Sequence, residues 1–138
     1  MKKTFKELQE INEVFYRLNS SFKDFSKTKL AYAFKRFIDK NYQSIYTDFN
    51  DELQSVRIEN ALTDKVTGAI LYEDNNQSYK YSPEKLKIVI SEIKRISKEW
   101  ENKEFEVEPY ICNDIPESIE FYEGEKELLE GVIINLNK

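Results

Sequence analysis

Three glutamates at alternate positions, Glu104, Glu106 and Glu108, and three tyrosines within ten residues, Tyr72, Tyr79 and Tyr81, have types and spacing suited to chemistry. On a strand every second side chain shares a face at about 7 Å spacing, so the glutamates would form a row able to share a hard cation or imitate phosphates toward a basic partner. The competing reading is the solvated outer face of a strand. The tyrosines, with Lys80 among them, offer ring faces on which bases could stack. Residues 68–81 hold a single basic group, however, and the chain carries a net charge of −5, so phosphate attraction is weak and nucleic acid is disfavoured as a partner. Cross-strand aromatic pairing is the structural alternative. Trp100, at the end of an amphipathic run, is either core or an anchor for a partner. These seven residues are the candidate partner-binding set.

The exclusions are firmer. The chain has no histidine and one cysteine, Cys112, which removes Ser-His-Asp, Cys-His and Cys/His metal constellations. Its three glycines form neither GxGxxG nor GxxxxGK[ST], so the standard phosphate-cradling loops are absent. Asp74 with Glu92-Ile93-Lys94 has the composition of a carboxylate–lysine set for metal-assisted phosphodiester cleavage. Glu92 and Lys94 fall within a helix, though, about 200° apart around its axis. Cys112 has no cation beside it in sequence to lower its pKa, and reads as an inert small residue. No catalytic residue, metal or cofactor is expected.

The 138 residues match one domain, and 40% hydrophobic with 14% aromatic content argues for a folded, soluble chain despite 34% charged residues. No run approaches the roughly 20 apolar residues of a membrane span, and the Lys-rich start leads into an amphipathic helix, so cytoplasmic residence, in a host cell or a virion, is expected. Charge is polarised along the chain. Residues 1–96 hold 17 basic and 14 acidic groups, whereas residues 97–138 hold 4 and 12. An acidic end of this kind could steer a basic partner or head-to-tail self-association, or it could serve only solubility.

The positioning elements follow from periodicity. Thr4-Phe5-Lys6-Glu7 spells a capping box, which starts a helix over residues 5–18 with the stripe Phe5, Leu8, Ile11, Phe15 and Leu18. Phe22 and Phe25 pin the following loop, and Ser26 is the expected N-cap of a long helix over residues 26–60. Its stripe, Leu30, Phe34, Ile38, Ile45, Phe49, Leu53 and Val56, drifts around a straight helix, so a break is expected; Asp48-Phe49-Asn50-Asp51 is the candidate site. Asn41 lies in that stripe and needs a partner if buried. Ten of the 19 aromatic residues lie between Phe15 and Phe49, which places the main core where the first two helices meet.

Beyond Leu62 the pattern becomes extended. Gly68 to Glu73 and Ser78 to Tyr81, flanking Asp74-Asn75-Asn76-Gln77, read as a β-hairpin. Ser82-Pro83-Glu84 starts a third helix running to about residue 101, with Leu86, Val89, Ile90, Ile93, Ile96 and Trp100 as its buried face. A strand over residues 104–108 continues weakly to Ile111, and a final helix runs from about Glu125 through Val132. The fold class is α+β in a single domain: an antiparallel helical hairpin over residues 4–62 with a long, once-broken second helix, then a third helix and a small antiparallel sheet over residues 66–136.

This order of elements resembles a family of small uncharacterised proteins encoded in tailed-phage and prophage genomes. The resemblance is carried by the helix from Leu8 to Leu18, the opening Lys29-Leu30-Ala31-Tyr32, the polar hairpin with its following helix, and the acidic Glu106-Val107-Glu108 strand before a short apolar helix. With the absent catalytic constellations, the aromatic surplus and the acidic C-terminal third, the expectation is a non-enzymatic protein of phage or mobile-element origin that works through contacts with a host or phage protein, or with copies of itself, in virion assembly or in interference with a host system. The alternative is a protein that sequesters a small ligand or nucleotide.

Overall fold

A computed structural model describes residues 1–136. The architecture is α+β, with five α-helices and a two-stranded antiparallel sheet among the described residues. The chain divides into two compact units, Met1–Tyr46 with Glu101–Lys138, and Thr47–Trp100. The second unit is thus an insertion within the first, and the division does not fall between residues 62 and 66.

In the first unit, strand β1 (Lys2–Thr4) runs directly into helix α1 (Phe5–Ser21). The capping box is present in both directions: Glu7 N–H donates to the Thr4 hydroxyl at 3.1 Å and Thr4 N–H donates to the Glu7 carboxylate at 3.0 Å. A 3₁₀ turn (Phe25–Lys27) follows, and Thr28 rather than Ser26 caps helix α2 (Lys29–Asn41), accepting from Ala31 N–H at 3.0 Å. The 3₁₀ turn absorbs Ser26 because Phe25, 2% exposed, has to reach the core. Phe5 lies beside Tyr42 and Phe15 beside Phe34, with ring centroids 6.1 and 5.7 Å apart. Early α1 therefore meets late α2, the antiparallel arrangement that a short connection favours.

The long helix breaks at Tyr42, not at Asn50. Helix α3 (Gln43–Asn60) runs unbroken through Asn50, which is exposed and caps nothing. The reason is Asn41, which is 8% exposed. Its amide donates to Phe37 O at 3.0 Å and to Glu108 O at 2.8 Å, and its oxygen accepts from Glu108 N–H at 2.8 Å. One side chain thus completes both backbone groups of a residue 67 positions away, and the helix bends where that demand is met.

Tyr42 fills the bend, with its ring 5.6 Å from that of Tyr46. Burial, reinforced by the neighbouring Tyr46 phenol and only partly opposed by a hydrogen bond with Gln9, pushes its phenol up to about 12. A raised folded-state value means that the neutral phenol is the form the fold keeps. Stability from this source is complete below about pH 10, the value for an unfolded tyrosine, and is lost as pH rises toward 12. Wild-type stability in urea should therefore fall more steeply between pH 10 and 12 than that of Tyr42→Phe; parallel pH profiles would contradict this.

The sheet pairs β1 with β2 (Glu104–Glu106), Lys3 opposite Phe105. The strand is shorter than the alternation over residues 104–111 suggests, and its partner was hidden in a run of three residues too short to show a period. Past it, Tyr110 N–H donates to Val132 O at 2.8 Å and Cys112 N–H to Ile133 O at 2.7 Å, which ties residues 110–112 to the C-terminal turn. Helix α4 is Pro83–Glu101, and helix α5 (Glu125–Leu129) stops three residues short of Val132. Gly131 adopts φ +79°, and the chain turns there to bury Val132 and Ile133 completely. Gly131→Ala would strain that left-handed backbone and drive a Cβ to 2.7 Å from the Met1 side-chain tip. The expected loss is about 1–2 kcal/mol, mostly from the backbone because Met1 can yield, and is measurable as a lower urea midpoint.

In the second unit, Phe49 and Leu53 of α3 are buried, and Phe49 meets Trp100 of α4 edge to face at 5.4 Å. The hairpin forms, with a single bridge between Tyr72 and Tyr79, and residues 62–63 add a third extended segment through Leu71 N–H to Leu62 O at 2.9 Å. Two side chains close its turns. Asp64 accepts from Val66 and Thr67 N–H, and Asn75 accepts from Gln77 and Ser78 N–H. Ser82 caps α4 as its sequence requires, accepting from Lys85 N–H at 3.2 Å.

Candidate functional site

Helix α4 has a stripe wider than the surface that covers it. Val89, Ile96 and Trp100 are buried and Ile93 is half-buried, but Leu86 and Ile90 remain 44% and 60% exposed. At positions i and i+4 these two side chains are neighbours on one edge of the helix. The sequence placed both on the buried face; the structure corrects that, because α3 and the hairpin reach only the centre of the stripe. Val66, at the tip of the Asp64-closed turn, is 94% exposed. A turn held by two hydrogen bonds to Asp64 thus presents a bare apolar side chain, in the same unit as the open edge of α4.

The three tyrosines do not form one platform. Tyr72 and Tyr79 meet each other edge to face at 5.2 Å, the cross-strand pair that β-structure favours. Gln54 of α3 donates its side-chain amide to the Tyr79 hydroxyl. Tyr81 shares with Tyr79, Gln54, Arg57 and Val89 a recess of about 340 Å³. Burial raises the Tyr81 phenol above its ordinary value, against the opposing charge of Arg57. Trp100 is 7% exposed and donates from its indole N–H to Glu52 at 2.7 Å, so it belongs to the core of its unit and offers no anchor to a partner.

The glutamates are likewise divided. Glu104 and Glu106 share a face of β2 opposite Thr4 and Lys2, and the Met1 amine pairs with Glu106 at 3.2 Å. Glu108 lies beyond the strand, where its backbone binds Asn41 while its side chain is exposed. Among the described residues no group of three or more carboxylates or cysteines is placed to hold a metal ion.

Within the first unit the charge polarity of the sequence becomes an internal match. Arg17 of α1 pairs with Glu125, donates to Glu120 O at 3.4 Å and lies 3.8 Å over the Tyr122 ring. Lys3 donates to Leu128 O at 3.1 Å. Lys29 of α2 pairs with Asp114 at 2.8 Å, an exposed pair whose hydrogen bond and charge raise the lysine and lower the carboxyl from their ordinary values. Two of the twelve acidic side chains of residues 97–138, Asp114 and Glu125, are thus held by cations of the first two helices.

A cleft of about 480 Å³ opens between α2 and residues 110–114, lined by Lys29, Tyr32, Ala33 and Arg36 on one side and Tyr110 and Cys112 on the other. None of its α2 residues stood out in sequence as a binding residue: Lys29 and Tyr32 entered only as part of the Lys29-Leu30-Ala31-Tyr32 opening, and Arg36 as one of the polar residues beside the stripe. The signal that could have found them is their i, i+3, i+7 spacing, which puts a ring and two cations on one line. Cys112 is buried at its floor, with its Sγ 3.5 Å from Asp114 O.

Among the described residues no helix is long and apolar enough to cross a membrane. No family model matches the chain, and neither the curated proteins nor the solved structures contain a match to it.

Proposed function

We propose that the chain acts without catalysis, as a protein-binding module whose contact surface is the open edge of α4 in the second unit. The observation that supports this is the exposure of Leu86 and Ile90 on a stripe otherwise built for burial. Because the two side chains are already about half buried, covering what remains exposed gains about 0.7–1.8 kcal/mol each, a contribution that suits the centre of a contact. Ile88 and Val66, 44% and 94% exposed, are further apolar side chains of that unit available to a partner. The likeness of the element order to phage-encoded proteins supplies the setting, virion assembly or interference with a host system. A second copy of the chain is one candidate for the partner.

Two measurements test this reading. Light scattering after size exclusion reads self-association, and affinity capture from host lysate reads a foreign partner. The double variant Leu86→Asp, Ile90→Asp is expected to abolish whichever complex the wild type forms, while Trp100 fluorescence stays native. A wild type that is strictly monomeric and captures nothing would end the proposal, as would a complex that survives the double variant.

A further inference from the structure

We propose that the cleft between α2 and residues 110–114 is a binding site for a nucleoside monophosphate or a closely similar phosphorylated ring compound. Arg36 carries the argument. Arg17 and Arg95 each bind carboxylates, at Glu125 and at Glu92 and Glu99, whereas Arg36, like Arg57 in the second unit, makes no ion pair among the described residues, in a chain of net charge −5. It is held by two rings instead. Its guanidinium carbon lies 5.0 Å from the Tyr110 ring centre and 5.9 Å from that of Tyr32, and Nη1 donates to the Tyr32 hydroxyl at 3.4 Å. Aromatic contact fixes the guanidinium while leaving most of its N–H donors free, the geometry suited to receiving a planar fork of oxyanion oxygens.

The other end of the cleft has different chemistry. Lys29 is neutralised by Asp114, so the second cation does not ask for a second anion. The Asp114 carboxylate has a further lone pair with which to accept from an amino or hydroxyl group. Lys29 and Arg36 are seven residues apart on one helix, about 10 Å along its axis. A ligand that reaches both therefore bears an oxyanion at one end, a hydrogen-bond donor at the other, and a flat body between. The middle of the cleft suits such a body. Ala33 leaves room at its floor, and Tyr32, 63% exposed, presents a ring on which a base can stack. The facing wall is pinned by the Tyr110 and Cys112 backbone hydrogen bonds to Val132 and Ile133, so the site is formed before a ligand arrives. Its volume of about 480 Å³ lies in the range of small-molecule pockets.

Isothermal titration calorimetry with AMP, GMP, CMP and UMP tests the site, with inorganic phosphate and adenosine as its two halves. At least one nucleotide should bind tenfold or more tightly than phosphate or adenosine alone. Arg36→Gln should weaken it about tenfold or more, and Tyr32→Ala severalfold, both with an unchanged melting temperature because the two side chains are exposed. Leu86→Asp, Ile90→Asp should bind as wild type. No heat with any of the four nucleotides at millimolar concentration would overturn the proposal. So would equal affinity for inorganic phosphate, or undiminished binding by Arg36→Gln.

Discussion

Asn41→Leu should lower stability by about 2–5 kcal/mol, although leucine is similar in size and far more apolar. The change leaves Glu108 N–H and Glu108 O, now 2.8 Å from the Asn41 amide, without partners in a partly buried place, and removes the bond to Phe37 O. Each orphaned group costs about 1–3 kcal/mol, more than a methyl group gained from water returns. Asn41→Asp separates hydrogen bonding from shape. A carboxylate can accept from Glu108 N–H but cannot donate to the two carbonyls, so its deficit should shrink as pH falls and the added carboxyl regains a proton and a donor. Urea titrations of both variants at pH 5 and pH 8 read this directly. An Asn41→Leu protein within about 0.5 kcal/mol of wild type would show that the helix break does not depend on the amide.

Phe34→Ala should cost about 3–5 kcal/mol by removing the side chain at the centre of the aromatic cluster. Phe34 is fully buried, with ring centroids 5.7 Å from Phe15 and 6.4 Å from Phe25. The cluster joins α2 to α1 and to the 3₁₀ turn between them, so no single element can collapse to fill the void. Tyr32→Ala, two residues away but 63% exposed, removes a larger side chain and should change stability by no more than about 0.5 kcal/mol. The urea midpoints of the pair measure the difference between the two faces of α2. Similar losses from both would mean that the aromatic cluster does not form the core.

Several features of this chain were legible in the sequence because they depend on neighbours. The Thr4 and Glu7 box and the Ser82-Pro83-Glu84 start lie within one helical turn, and the structure has both. The stripe of Leu30, Phe34 and Ile38 is buried as its period demands, and its drift announced that the long helix must break. Where it breaks was not legible, because the deciding partner of Asn41 is the backbone of Glu108, 67 residues on.

The candidate site shows the same division more sharply. Glu104, Glu106 and Glu108 alternate in sequence, but the strand ends at Glu106, and Trp100 reads as core or anchor until Phe49 and Glu52 are seen to enclose it. Lys29, Tyr32 and Arg36 are ordinary surface residues of an amphipathic helix until residues 110–114 come to face them. By itself the sequence determined the first and fourth helices with their caps at Thr4 and Ser82, the hairpin and the absence of histidine chemistry, since these rest on local spacing and composition. Tertiary structure alone decided which half of the α4 stripe stays open, which charges are matched internally and which cleft holds a guanidinium set between two tyrosines. Those outcomes depend on contacts between segments far apart in the chain, and no local period records them.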